Sequence, residues 1–356
     1  MWEAVMDTEA VPKLVGVEPV PGEAAASFVR RLAHLNELSV AEVLREAGAH
    51  RPPGELDPWV QEVFLGEQAA ARLAVMAWRT PQELCRALPT LAAGATGRVR
   101  RQSVRVEPWP GQWTPLEPCA GCMARHNDLV TPVVLAGGDP WQVCVRHGRW
   151  LRSTADGGPS QVLLSGLEEV VRAHRRRVRL QQRVGPYARA LLADALQVAA
   201  AWWQGRQMGS ETLWAGREAV LGMGRQRWAV PLVVYPEAVI VAEAMAVYER
   251  QRHWGREFAG GAPGWVSKRW IAFVGERLGM PGPMEHGGYR MLRQWTLQHR
   301  ITTPVVDRLA QPAPPPGYRA GHLPVMDPHH GLPERGALED ASCLDWRLGR
   351  PVTALE

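Results

Sequence analysis

Cys119-Ala-Gly-Cys122 and Cys144-Val-Arg-His147, with 21 residues between them, decide how the middle of this 356-residue chain folds. Two close ligand pairs separated by a loop fit a four-coordinate Cys3His site, and three thiolates with one imidazole suit tetrahedral zinc. Gly121 is expected to let the backbone turn sharply between the cysteines. With all four positions taken by protein ligands, Cys119, Cys122, Cys144 and His147 leave no open coordination position, so the expected cofactor is one structural Zn2+. Its binding supplies about 10–16 kcal/mol of folding energy. The alternative is a redox CxxC, or two buried cysteines beside an unrelated pair. His126 is a second-choice imidazole. Cys85 falls in an apolar helical pattern and Cys343 in the C-terminal stretch, so neither is assigned to the metal.

Zinc is needed there because the surrounding segment cannot own a large core. Between Ala92 and Asp139, Gly94, Gly97, Pro108, Pro110, Pro115, Pro118, Gly137 and Gly138 interrupt any long helix, while Val104 and Val106 alternate with Arg as in a short strand. Upstream, residues 20–95 read as helices at Ala24–Leu35, Val40–Ala47 and Leu84–Leu91. Ser39 with Glu42, and Thr80-Pro81-Gln82-Glu83, are capping-box starts. Downstream, the chain is helical from Gln161, with further helices at Tyr187–Trp203, Pro236–Trp254, Trp265–Leu278 and Met284–His299 separated by Gly or Pro. The expected fold is mainly α: a helical N-terminal module (1–95), a small zinc-bound motif with short strands (96–155), a helical C-terminal domain (156–303) and a flexible tail (304–356).

Composition limits the partners. Hydrophobic residues make up 46% and charged residues 22%, as in a globular protein. No run approaches the ~18 apolar residues of a membrane span; the best candidate, 188–203, is broken by Arg189 and Asp194. The N-terminus carries Glu3, Asp7 and Glu9, which is unlike a secretory signal, and five cysteines are too few for a disulfide framework. A cytoplasmic protein without a membrane partner is expected. The net charge is +5, and 39 of the 41 basic residues are Arg, which GC-rich coding alone could produce. Arg nonetheless suits phosphate through its planar fork. On a helical projection Leu163, Leu164, Leu167, Val170, Val171 and Val178 share one side, and Arg172, Arg175, Arg176, Arg179 and Arg183 the other. That Arg face either tracks DNA phosphates or is merely solvated. A second cluster, Arg98, Arg100, Arg101 and Arg105, has the same two readings. Trp202, Trp203, Trp214, Trp228, Trp254, Trp265, Trp270 and Trp295 fall in helical patterns and are expected in the core. Residues 265–278 and 287–299 could form a helix-turn-helix, although the break at 279–284 is longer than the usual turn.

Two groups of residues, in this order and spacing, resemble the TniQ family. The first is Pro21-Gly22-Glu23, Ser27-Phe28-Val29-Arg30-Arg31-Leu32-Ala33 and Asn36-Glu37-Leu38-Ser39. The second is Cys119-x2-Cys122, Trp141 and Val143-Cys144-Val145-Arg146-His147-Gly148-Arg149-Trp150-Leu151. Together they cover residues 17–152. Ala120 stands where the family usually has Pro, and the family's frequent second CxxC after the His is missing. The resemblance implies a non-enzymatic transposition target-selection protein of the TniQ and TnsD kind. Such a protein links a DNA target, or an RNA-guided complex, to an AAA+ transposition ATPase. A homodimer is compatible with this. The alternative is a stand-alone zinc-containing DNA-binding transcriptional regulator. P-loop, GxSxG and HExxH patterns do not occur, and a metal-dependent nuclease would need an open metal site.

Overall fold

A computed structural model describes residues 14–94, 104–110, 113–124, 131–154, 158–185, 188–204, 211–222, 226–253, 263–279, 292 and 295. The fold is mainly helical with small antiparallel sheets, and it divides once, between Val162 and Leu163, into two compact units. The expected segments 1–95 and 96–155 thus fall within the first unit.

The first unit runs α1 (Ala25–Leu35), α2 (Val40–Glu46), β1 (Gln61–Leu65), α3 (Glu67–Met76), α4 (Pro81–Ala87), α5 (Pro89–Gly94), β2 (Val104–Pro108), β3 (Thr114–Leu116), α6 (Ala120–Met123), β4 (Leu135–Gly137), β5 (Trp141–Cys144), β6 (Arg149–Arg152) and β7 (Gln161–Leu163), the last strand ending at the division. Both capping boxes form. Ser39 Oγ accepts from Glu42 N at 3.2 Å while the Glu42 carboxylate accepts from Ser39 N at 2.8 Å, and Thr80 and Glu83 repeat the exchange at 3.2 and 2.7 Å. The helix expected over 84–91 is two helices, because Pro89 forces Leu88 into an extended conformation. Residues 61–65, inside a stretch read as helical, form a strand paired antiparallel with β2, Gln61 opposite Pro108 and Leu65 opposite Val104. A five-residue run is too short to show either period.

Helix α1 begins in the interior with Ala24 at its N-cap, and Ala24 has no side chain to accept the orphan amides. Distant residues do so instead. Ala24 N donates to Val134 O at 2.9 Å, Ala25 N to Thr90 Oγ1 at 3.3 Å and Ala26 N to Glu62 Oε1 at 2.8 Å. Just before the N-cap, buried Glu23 accepts from Val20 N (3.0 Å), Ser27 Oγ (2.9 Å) and Arg31 Nη1 (2.6 Å), and Ser27 Oγ accepts from Val134 N at 3.0 Å. Gly22, at φ +85°, donates to Ala87 O at 2.7 Å and accepts from Ala136 N at 2.8 Å. The Pro21-Gly22-Glu23 turn is therefore bonded to the end of α4 on one side and to β4 on the other. Around it lie two apolar clusters. The larger joins α1, α2, α3 and β1 through Phe28, Leu32, Leu44, Val63 and Leu73; the smaller gathers Val20, Leu116, Cys119, Val133, Leu135 and Leu151.

The second unit runs α7 (Glu168–Val184), α8 (Ala188–Gln204), α9 (Glu211–Val220), a 3-10 turn at Arg227–Ala229, α10 (Val230–Val233), α11 (Tyr235–His253) and α12 (Pro263–Arg277). Helix α11 is buried on nearly every side, with Ala238, Val239, Val241, Ala242, Ala244, Met245 and Ala246 all inaccessible, and α7, α8 and α12 pack against it. Trp202, Trp214, Trp228, Trp270 and Trp295 are buried as expected, and Trp270 stacks on Trp295 at 5.3 Å. Trp203 is half-buried, Trp254 lies outside the described residues, and nothing is described for the Trp265 side chain. Buried Asp194 accepts from Trp295 Nε1 at 2.9 Å. Among the described residues no helix is long and apolar enough to cross a membrane. The second helix of the expected helix-turn-helix and the tail lie outside the described residues, apart from Leu292 and Trp295.

Burial pushes the Glu62 carboxyl from its ordinary value near 4.5 up to about 7, and the charge of Glu23 adds to the effect. An acid raised in the folded state holds its proton there after the unfolded chain has lost it, so stability falls as pH rises from about 4.5 to about 7. The contribution lost over that window is about 3 kcal/mol. Glu62→Gln is expected to remove that portion of the slope, measured as the difference between wild-type and variant denaturation curves across pH. Superimposable pH profiles would contradict the assignment.

Candidate metal centre

Three short elements bring the four ligands together. Cys119 is the N-cap of α6 and Cys122 lies one turn on, with Cys122 N donating to Cys119 O at 2.9 Å. Cys144 ends β5, where it pairs with Arg149 of β6, and His147 lies in the loop 145–148 of that hairpin. Gly148, at φ +54°, takes the left-handed conformation that returns the chain to β6. Trp141 stacks on Trp150 at 4.5 Å and stiffens the hairpin.

His147 presents Nδ1 to all three sulfurs: 3.5 Å from Cys119 Sγ, 3.3 Å from Cys122 Sγ and 3.5 Å from Cys144 Sγ. Cys122 and Cys144 Sγ are 3.6 Å apart, and all four ligand atoms lie within 4.8 Å of one another. A tetrahedral ion with sulfur at about 2.3 Å and nitrogen at about 2.0 Å sets S···N near 3.5 Å and S···S near 3.8 Å. The cluster could therefore hold a metal ion. Without an ion, burial and the adjoining Cys144 and Cys119 sulfurs push the Cys122 thiol up to about 12. Three thiolates crowd together here only if a cation neutralises them.

Gly121 is required for a reason different from the expected sharp turn. It sits in α6, and a Cβ there would lie 2.8 Å from His147 Cγ and 2.9 Å from Cδ2, so the absence of a side chain is what admits the imidazole. Sequence reading also missed Gln161. Its Oε1 accepts from Ala120 N at 3.0 Å and its Nε2 donates to Pro118 O at 3.0 Å, bracketing Cys119 from β7. A lone Gln carries no periodic or spacing signal that could have found it. His126 and Cys343 lie outside the described residues, while Cys85 is half-buried against the larger core.

The arginine face is rearranged from the expected one. Helix α7 starts at Glu168, after strand β7 and a turn at Gly166 (φ +78°), so Leu163 is not on the helix at all. Val170, Ala173, Leu180 and Val184 form the buried stripe, whereas Leu163 and Val178 are 58% and 41% exposed. Arg172, Arg175, Arg179 and Arg183 are exposed, but Arg176 flanks the stripe and pairs with Glu243 of α11 at 2.7 Å. In the second cluster only Arg105 is described; it lies on β2, 3.3 Å from Glu107. The chain matches no family model, no curated protein and no solved structure.

Gly121→Ala is expected to lower metal affinity by about 10–100-fold, the usual effect of disturbing residues that position ligands. Cys119→Ser and Cys144→Ser should lose stoichiometric metal altogether, while Cys343→Ser keeps it, as read by elemental analysis of purified protein. Equal metal content across all four variants would show the site to be misassigned.

Proposed function

We propose that this chain is a non-enzymatic, zinc-containing, TniQ-like transposition adaptor of the cytoplasm. Its first unit engages an AAA+ transposition ATPase, and the arginine-bearing second unit contacts nucleic acid at the DNA target or within an RNA-guided complex. The supporting observation is that the two groups of residues resembling TniQ converge. Glu23, Ser27 and Arg31 form one buried network, and Ser27 bonds to Val134 in the segment that carries Cys119, Cys122, Cys144 and His147.

Zinc is the metal this donor set favours, because three soft thiolates and an imidazole at tetrahedral spacing match it better than they match oxygen-seeking cations. Four protein ligands fill the coordination shell, so its role is to clamp α6 to the β5–β6 hairpin. A chemical step at that ion would need a fifth, open position.

Affinity capture of the full chain from cells expressing neighbouring transposition genes should recover the ATPase, and deletion should abolish insertion at the selected target. Tight binding to a single operator, with no ATPase recovered and unchanged insertion frequency, would contradict the adaptor and favour the stand-alone regulator.

A further inference from the structure

One side of the second unit holds a cleft of about 490 Å³ lined by Arg176, Arg179, Gln182 and Arg183 of α7, Glu243 of α11 and Arg277 of α12. Four guanidinium groups face one carboxylate, leaving three net positive charges. Glu243, 10% exposed, accepts from Arg176 Nη2 at 2.7 Å and Nε at 3.3 Å, and from Arg277 Nη2 at 2.8 Å. Arg277 also lies 5.5 Å from the centre of the Phe273 ring. Two arginines from helices distant in sequence are thus held in set orientations, each with further N–H donors left over. Arg179 and Arg183 are exposed and form no ion pair among the described residues.

We propose that this cleft binds a phosphate of the DNA backbone, with Arg179, Arg183 and Arg277 as its contacts. The inference rests on the nucleic-acid reading above and narrows it from a helix face to a site. A planar guanidinium fork matches the paired oxygens of a phosphodiester, and the fork of Arg277, held by Glu243, loses less freedom on binding than the solvated forks of Arg179 and Arg183. The cleft is rich in charge, and among the described residues its lining includes no aromatic side chain. That favours the duplex backbone over unstacked bases, which need stacking platforms. Arg172 continues the row about 16 Å from Arg183 along the helix axis, in line with a strand that runs past the cleft.

The test is duplex binding by the full chain as a function of salt. Arg179→Ala/Arg183→Ala, which breaks no ion pair among the described residues, is expected to weaken affinity by tenfold or more at low salt. It should also reduce the magnitude of the log–log salt slope by about two, uniformly across duplex sequences. Arg277→Ala should reduce the slope by about one, whereas Arg175→Ala, which lies outside the cleft lining, should change it less. Circular dichroism checks that each variant is folded. Unchanged slopes in the double variant would overturn the proposal, as would no duplex binding by the wild type. A cleft-dependent preference for single-stranded RNA over duplex DNA would overturn it too. ATPase capture is read separately, so the adaptor reading survives or fails independently of this site.

Discussion

The first unit depends on a buried carboxylate, Glu23, that has exchanged water for three protein groups. An ion pair this deep is not a source of net stability compared with an apolar replacement, but losing either partner strands a charge, at a cost of about 3–5 kcal/mol. Its effect is to fix geometry. With Arg31 and Ser27 on successive turns of α1 both committed to Glu23, the helix has one rotational setting. That setting directs Ser27 Oγ to Val134 and leaves the amides of α1 to be capped by Thr90 and Glu62. The Gly22 bond to Ala136 then continues the contact along β4. A helical module and the loop-rich segment whose Cys3His cluster could hold a metal ion become one unit through a handful of directed bonds and the small cluster around Leu135.

This arrangement accounts for what could be read from the sequence. Capping boxes are local, so Ser39–Glu42 and Thr80–Glu83 announce themselves within four residues. Ligand spacing is similarly local within each pair, and Cys119, Cys122, Cys144 and His147 do converge. What escaped is non-local. Nothing in Gln-Glu-Val-Phe-Leu says that its partner lies some forty residues on, and Glu62 looks like a solvated charge until α1 is known to need a cap. Gly121 was recognised as special for the wrong reason, because its constraint comes from an imidazole 26 residues away and not from its own dihedrals.

Helix α7 shows the same limit in its phase. A projection treats Leu163 through Val178 as one helix, yet the strand and the turn at Gly166 remove the first residues from it. Tertiary packing then centres the buried stripe on Ala173 and Leu180. The shift brings Arg176 against Glu243 and divides one apparent arginine face into a structural residue and an exposed row. In the same unit Arg217 binds Glu169, Glu237 and Val233 O, and buries its charge among α7, α9 and α11. Arginine in this chain therefore serves two purposes, internal bracing and exposed positive charge, and counting residues cannot separate them.

Backbone amide exchange of the full chain before and after chelation tests most directly whether the candidate metal centre and the Glu23 network belong to one cooperative unit. Removing the metal is predicted to lose protection at Ala24, Ala26 and Ala136 together with the Cys loops, while α11 keeps its protection. Exchange confined to residues 119–123 and 141–150, with α1 and β4 as protected as before, would contradict it.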